Sequence, residues 1–269
     1  MTKTLMVLAM LASAAGAAAQ SNSELAVGPT VPVAPVPFGP GELATYRVTY
    51  GVLGTVGRGV VEVAGIDTVR GHPAYHLVFR LKGGIPFAKV DDVQESWLDV
   101  GQLYSHRFKQ DIDEVNYERL RTLDFFPAEK VWRWKERETE GPLATELPLD
   151  DVAFMYFART LPLEVGETYT FERYYKDEGN PVTVKVLRRQ TVKVPAGTFR
   201  TLVLKPIIRT KGLFAEGGEA ELYFSDDDRR MLVLMTTKVA KIGTLKLHLE
   251  KYQAGTPLGT TAFSAHPGT

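Results

Sequence analysis

Landmark residues of this chain recur at a nearly fixed spacing. Glu95 and Glu221 lie 126 positions apart, as do Trp97 and Tyr223, and Gly71 and Gly197; Gly41-Glu42 and Gly166-Glu167 lie 125 apart. Such self-similarity means that one structural unit occurs twice, so the fold has to be built from two similar halves. The unit reads most clearly from Glu219 to Val239. A strand (Ala220–Ser225), a tight acidic turn (Asp226–Asp228) and a return strand (Arg230–Val239) follow one another there, with Val, Leu, Met, Tyr and Thr in the strand positions. Its earlier counterpart is Glu95-Ser96-Trp97-Leu98-Asp99 followed by Leu103–Phe108.

The rest of the chain obeys the same grammar. Tyr46, Val48 and Tyr50 alternate with Thr45, Arg47 and Thr49, and Tyr75, Leu77, Phe79 and Leu81 alternate with polar or smaller neighbours. Both patterns predict half-buried strands. Turn signals every 8–12 residues predict roughly twelve short strands. Gly51, Gly54, Gly57 and Gly59 match no phosphate loop, because no helix follows them, and are expected at a bulge or sharp bend. One stretch breaks the pattern. In Leu149–Thr160, Asp150 or Asp151 is a plausible N-cap, the interior is apolar, and Pro162 ends the helix. The predicted fold is all-β with one short helix: a curved antiparallel sheet or an open, flattened β-barrel built from two similar halves. A single domain over 41–252 is expected, its halves (41–140 and 163–252) joined by the helix at 150–160, with an unstructured tail at 253–269.

The first residues read as a secretory signal, 1–19: Lys3, an apolar run Leu5–Leu11, and small residues Ala17-Ala18-Ala19 before the cut. Residues 20–40 carry prolines at 29, 32, 35, 37 and 40 and are expected to be a semi-rigid spacer. The chain has no cysteine. An exported protein of this kind relies on packing rather than disulfides, and it lacks the thiol of acylated lipoproteins. The expectation is a soluble periplasmic protein. A formal net charge of zero with no basic stripe excludes a nucleic-acid binder, and no segment is long and apolar enough to predict a transmembrane helix.

Catalytic constellations do not stand out. Asp226-Asp227-Asp228 lacks the spaced ligands and glycine of a calcium loop, as does the Asp111, Asp113, Glu114 group. The five histidines read as singletons, although His72 and His76 flank a strand start and could meet across a turn. Ser105 and His106 are adjacent in a strand, so their side chains should point to opposite faces. No GxSxG elbow occurs. Glu95 and Glu221 could pair as acid and base only if the repeat brought them together. No metal site, cofactor or catalytic residue is therefore assigned.

Binding is the better-supported expectation. Along 231–235, Met231, Val233 and Met235 fall on one face and Leu232 and Leu234 on the other, so both faces of the strand must be covered. A second layer or a ligand would do so, and methionine suits a variable filler. The candidate ligand-binding residues are Trp97, Tyr223, Met231, Val233 and Met235, with Phe154 and Phe157 on a helix available as a lid. Arg107, Arg229 and Arg230 are candidates for an anionic head group or a partner's carboxylates, against the simpler reading of pairing with Asp226–Asp228.

Several stretches together resemble a bacterial exported family called domain of unknown function 3108. They are Gly41-Glu42 with Tyr46–Gly51, Glu95–Asp99, Arg107–Gln110, Asp151–Thr160, Val194–Phe199, and Ser225-Asp226-Asp227 with Arg229-Arg230, spanning about Phe38 to Tyr252. The resemblance implies an envelope location and a β-rich fold, and brings no reaction or catalytic residues with it. In architecture alone, the half-barrel carriers of lipids and lipoproteins are a more distant similarity. The functional expectation is a non-enzymatic protein holding a hydrophobic ligand or an envelope component. The alternatives are an assembly factor binding a protein partner, and a hydrolase of envelope polymers.

Overall fold

The structure, a computed structural model, describes residues 30–31, 34–85, 88–115, 117–209, 220–239, 243–259 and 263–264. The expected signal segment lies outside the described residues. The first half runs through β1 (Thr30–Val31), β2 (Leu43–Tyr50), β3 (Thr55–Val69), β4 (His72–Ile85), β5 (Ala88–Asp99), β6 (Ser105–Glu114), β7 (Tyr117–Phe126), β8 (Val131–Trp134) and β9 (Thr139–Pro142). After the helix α1 (Asp151–Ala158) come β10 (Thr168–Phe171), β11 (Val182–Val194), β12 (Gly197–Ile207), β13 (Glu221–Ser225), β14 (Leu232–Val239), β15 (Gly243–Gln253) and β16 (Phe263–Ser264).

Strands β2 to β15 form one antiparallel sheet of 14 strands in the order β10-β11-β12-β13-β14-β15-β2-β3-β4-β5-β6-β7-β8-β9. The chain thus enters at the middle of the sheet and meanders outward to β9. Helix α1 carries it to the opposite edge, and it meanders back to β15, which pairs with β2. The sheet stays open between β9 and β10. The linker before the helix spans that gap: the Leu143 amide donates to the Lys130 carbonyl at 2.8 Å, and the Ala144 amide to the Tyr175 carbonyl at 3.2 Å.

The two halves share local irregularities as well as strand order. The Gly41 amide donates to the Val63 carbonyl and the Val63 amide to the Glu42 carbonyl, both at 2.9 Å. In the second half, Gly166, Val186 and Glu167 repeat this exchange at 2.9 and 3.0 Å. Gly41 and Gly166 both have positive φ (83° and 95°), which glycine adopts without a Cβ penalty. Register shifts fall between Val63 and Gly65 and between Val186 and Arg188, and again between Trp97 and Leu98 and between Tyr223 and Phe224. Bulges bend and twist the strand that carries them, so both halves curl at matching places.

Curling makes a hollow, and α1 fills it. Asp150 caps the helix, its Oδ1 accepting from the Val152 and Ala153 amides at 2.9 Å each. Val152, Ala153, Phe154, Met155, Tyr156 and Ala158 are all buried, so the helix is apolar on every side and packs against β4 and β5. The helix expected as a lid is therefore a plug, because a lid needs one wetted face. One continuous core joins it to inward side chains of both halves, among them Leu77, Phe108, Leu204, Phe224 and Leu247.

Two further expectations change. Residues Ala34–Pro40, read as part of a spacer, lie against the body: Phe38 is 1% exposed and wedged edge-on between Tyr75 and Tyr156 at 5.3 and 4.9 Å. Proline content set the backbone there, while one phenylalanine set its fate. The start of the expected unstructured tail is also packed, with the Thr256 amide donating to the Pro40 carbonyl at 3.0 Å and Leu258 resting on the core.

Candidate functional site

The predicted ligand residues do not converge. Phe154, Met231, Val233 and Met235 are between 0 and 5% exposed inside the core. Phe157 is half-buried, edge-on to Phe171 at 5.2 Å with the Arg173 guanidinium 4.5 Å from its ring. Trp97 and Tyr223 occupy matching positions of the repeat, Trp97 half-buried and Tyr223 buried at 6% exposure. The Trp97 indole donates to Asp67 at 2.8 Å and stacks on His76 at 4.6 Å; the Tyr223 hydroxyl donates to Glu221 at 2.5 Å. The methionines of this doubly apolar strand are thus core residues, packed among the protein's own side chains.

The polar candidates are spoken for as well. Arg107 makes a two-pronged contact with Asp124 at 2.8 and 3.2 Å. Arg229 reaches Asp227 at 3.2 Å, and Arg230 approaches Asp226 at 3.9 Å. Glu95 accepts from His76 and Lys109 at 2.9 and 2.8 Å, bonds that hold its carboxyl down at about 2. Glu221 is held by Arg188 at 3.0 and 3.1 Å. Strands β5 and β13 are six places apart in the sheet, roughly 29 Å along its curve. The two glutamates cannot act on one bond.

An open site appears instead where the core runs out at one end of the sheet. A mostly apolar cleft of about 170 Å³ lies among the ends of β2, β3, β4, β5 and β15, lined by Val48, Tyr50, Val56, Leu81, Val90 and Leu245 with Gly57, Gly83, Gly84 and one charged residue, Lys82. It continues the inward rows Tyr46–Val48, Leu77–Phe79 and Leu247–Leu249. Glycines make its floor. A Cβ on Gly57 would strike the Lys82 carbonyl and the Gly83 Cα, so the two strands approach closely there because neither carries a side chain. Of the four glycines expected at a bend, Gly51 and Gly54 do form the turn after β2, with φ of 45° and 72°, whereas Gly57 and Gly59 lie within β3. Val52 and Leu53, in the turn after Tyr50, are exposed, and so are Val115, Tyr117 and Leu120 on the hairpin joining β6 to β7 at the same end.

Beside the cleft the inner face turns polar. Asp92 follows Val90 on β5, and across the sheet come Gln94, Gln110, Arg119 and Arg121. Burial, reinforced by Glu114, raises the Asp92 carboxyl to about 6. Arg119 donates to Gln110 Oε1 at 2.8 Å, and Arg121 donates to the same oxygen. The Nε–H groups of both arginines are buried without an acceptor.

A third cluster was not foreseen. His106, 2% exposed, places Nε2 3.0 Å from Asp99 Oδ2, and the His72 ring stacks on the His106 ring at 5.1 Å. His72 meets His106 rather than His76, since the turn between β3 and β4 lies over the turn between β5 and β6. Burial alone would raise the Asp99 carboxyl, but His106 and the Gly101 and Gln102 amides bring it below its ordinary value. Three residues spread over 34 positions leave no local spacing to read.

Among solved structures, the likenesses to this chain are distant. A solved β-barrel-like protein of domain of unknown function DUF1849 from Brucella abortus is 13% identical, with a TM-score of 0.49, covering 82% of this chain and 100% of its own. A lipoprotein candidate from Parabacteroides distasonis is 11% identical, with a TM-score of 0.36, covering 81% of this chain and 98% of its own. Among curated proteins, none matches the sequence. A family profile described as "Protein of unknown function (DUF3108)" matches residues 45–250, which takes in both halves of the sheet and the helix between them, and the chain belongs to that family.

Proposed function

We propose that the protein binds a single-chain amphiphile at the open end of its sheet, with the chain in the apolar cleft and the polar head toward Gln110, Arg119 and Arg121. The carrying observation is the mostly apolar cleft of about 170 Å³, floored by glycine and continuous with the core. An apolar space near 150 Å³ stays dry and accepts a benzene-sized group, so this one suits the end of one acyl chain rather than a whole lipid. Two buried guanidinium Nε–H groups without acceptors favour an acidic head, since unpaired buried donors cost about 1–3 kcal/mol each. The exported, periplasmic setting expected from residues 1–19 belongs to the same proposal. Strand addition by a protein partner is less well supported, because both edge strands, β9 and β10, are only 4 residues long.

A fluorescent polyene fatty acid tests this. It should bind saturably and be displaced by palmitate more strongly than by the alcohol of equal chain length. Leu81→Trp, which fills the cleft, should abolish binding while leaving the thermal midpoint nearly unchanged. Equal binding to wild type and Leu81→Trp would refute the site.

A further inference from the structure

We infer that His72, Asp99 and His106 form a binding site for one divalent transition metal of the zinc class. One ligand atom from each of the three lies within 4.8 Å of the others. Zinc, cobalt and nickel take imidazole nitrogen and carboxylate oxygen together, and three protein ligands plus water is a familiar complement.

The carboxylate is already oriented for this. Asp99 Oδ1 accepts from the Gly101 and Gln102 amides at 2.8 and 2.7 Å, which leaves Oδ2 directed at His106 Nε2, 3.0 Å away. Supporting bonds of this kind fix metal ligands in place. A metal would replace the Asp99–His106 hydrogen bond, and exposed His72, the first residue of β4, has room to swing in as the third ligand. Arg70 is the nearby cation. It donates to Asp124 at 2.8 Å and to the His106 and Phe125 carbonyls at 3.0 and 2.8 Å, so it lies beside the site with its charge countered by the Asp124 carboxylate. Tyr104 covers His106 from another side, its ring 4.6 Å away.

The repeat supplies an internal control. The pair His76–Trp97 corresponds to Val203–Tyr223, and Leu98–Ser105 corresponds to Phe224–Leu232. Counting along these strands, His72, Asp99 and His106 fall on Phe199, Ser225 and Val233. The fold is therefore built at those three positions without any metal-binding group, and folding alone does not call for the histidines and the aspartate in the first half.

The experiment is titration of the metal-free full chain with Co²⁺ and with Zn²⁺, followed by visible absorbance and calorimetry. One ion per chain is expected, with a cobalt band that zinc removes and a raised thermal midpoint. Because His72 is exposed, His72→Ala should fold normally and weaken binding by at least about tenfold, and Asp99→Asn should do the same. His76→Ala, which alters a histidine outside the cluster, should leave binding unchanged. Absence of saturable binding, or equal affinity in His72→Ala and wild type, would overturn the assignment. Neither result bears on fatty-acid binding at the cleft, so the two proposals fail separately.

Discussion

The halves of the sheet carry the same bulges and the same entry hydrogen bonds, yet they line their inner faces differently. In the second half the inward positions are Val184, Val186, Leu202, Leu204, Leu222, Phe224, Val233 and Met235, all buried and apolar. In the first half the matching rows hold Leu77, Leu98 and Phe108, but also Asp92, Ser96, His106 and Gln110, with Arg119 and Arg121 beyond. One copy of the unit supplies packing. Among the described residues, the other carries most of the cleft, the Gln110–Arg119–Arg121 cluster and the His72–Asp99–His106 cluster.

The entry turns give the largest expected contrast. Glu42 is 3% exposed and pairs with Arg159, itself 5% exposed, at 2.6 and 3.0 Å; its counterpart Glu167 is exposed. Glu42→Gln leaves a buried guanidinium short of its counter-charge and should cost about 3–5 kcal/mol in denaturant unfolding. Glu167→Gln should change stability by less than about 0.5 kcal/mol. Equal effects would erase the distinction between the halves.

Next come Leu77 and Leu204, both 0% exposed and each paired with the valine just before the repeated bulge. Leu→Ala at either site should cost about 2–5 kcal/mol. If the halves are packed alike there, the two values agree within about 1 kcal/mol; a wider gap would show that the shared bulge does not impose shared packing.

Asp150 gives a pH test. It is 0% exposed and bonded by Ser96 Oγ at 2.6 Å, and burial raises its carboxyl from 3.8 to about 7. The folded state therefore holds this proton more tightly than the unfolded chain. The resulting stabilisation is full below about pH 4 and is lost as pH rises toward 7. Asp150→Asn keeps an oxygen for the helix cap and has no charge to bury. Wild type should lose about 1–3 kcal/mol relative to this variant between pH 4 and pH 7. A flat difference across that range would mean the carboxyl titrates normally.

The smallest effect concerns the residues that revealed the repeat. Glu95→Gln and Glu221→Gln remove partly exposed outer-face ion pairs, each worth about 0–1 kcal/mol. Neither should alter fatty-acid or metal binding, and a large loss of either in one variant alone would move the site to the outer face.

Local chemistry made much of the fold legible. The alternation from Thr45 to Tyr50, the Asp150 cap and the positive-φ glycines act within a few residues, and each element formed where those signals lie. Longer-range outcomes were hidden for a physical reason. Pairing of β15 with β2 joins residues some 200 positions apart, as in the Arg47–Glu250 ion pair at 3.0 Å, and no local pattern encodes it. The same holds for Phe38, whose burial depends on Tyr75 and Tyr156. His72, Asp99 and His106 likewise meet only once two adjacent turns are stacked.

Because β2 sits between β3 and β15, the middle of the sheet is a seam between strands from opposite ends of the chain. Both meanders are built from strands adjacent in sequence, whereas the junction that unites them joins residues roughly 200 positions apart, the kind of contact that is slow to form. A chain cut before Gly243 would keep most of its hairpins and still expose the apolar edge of its own centre. The completed protein is in effect fastened down the middle.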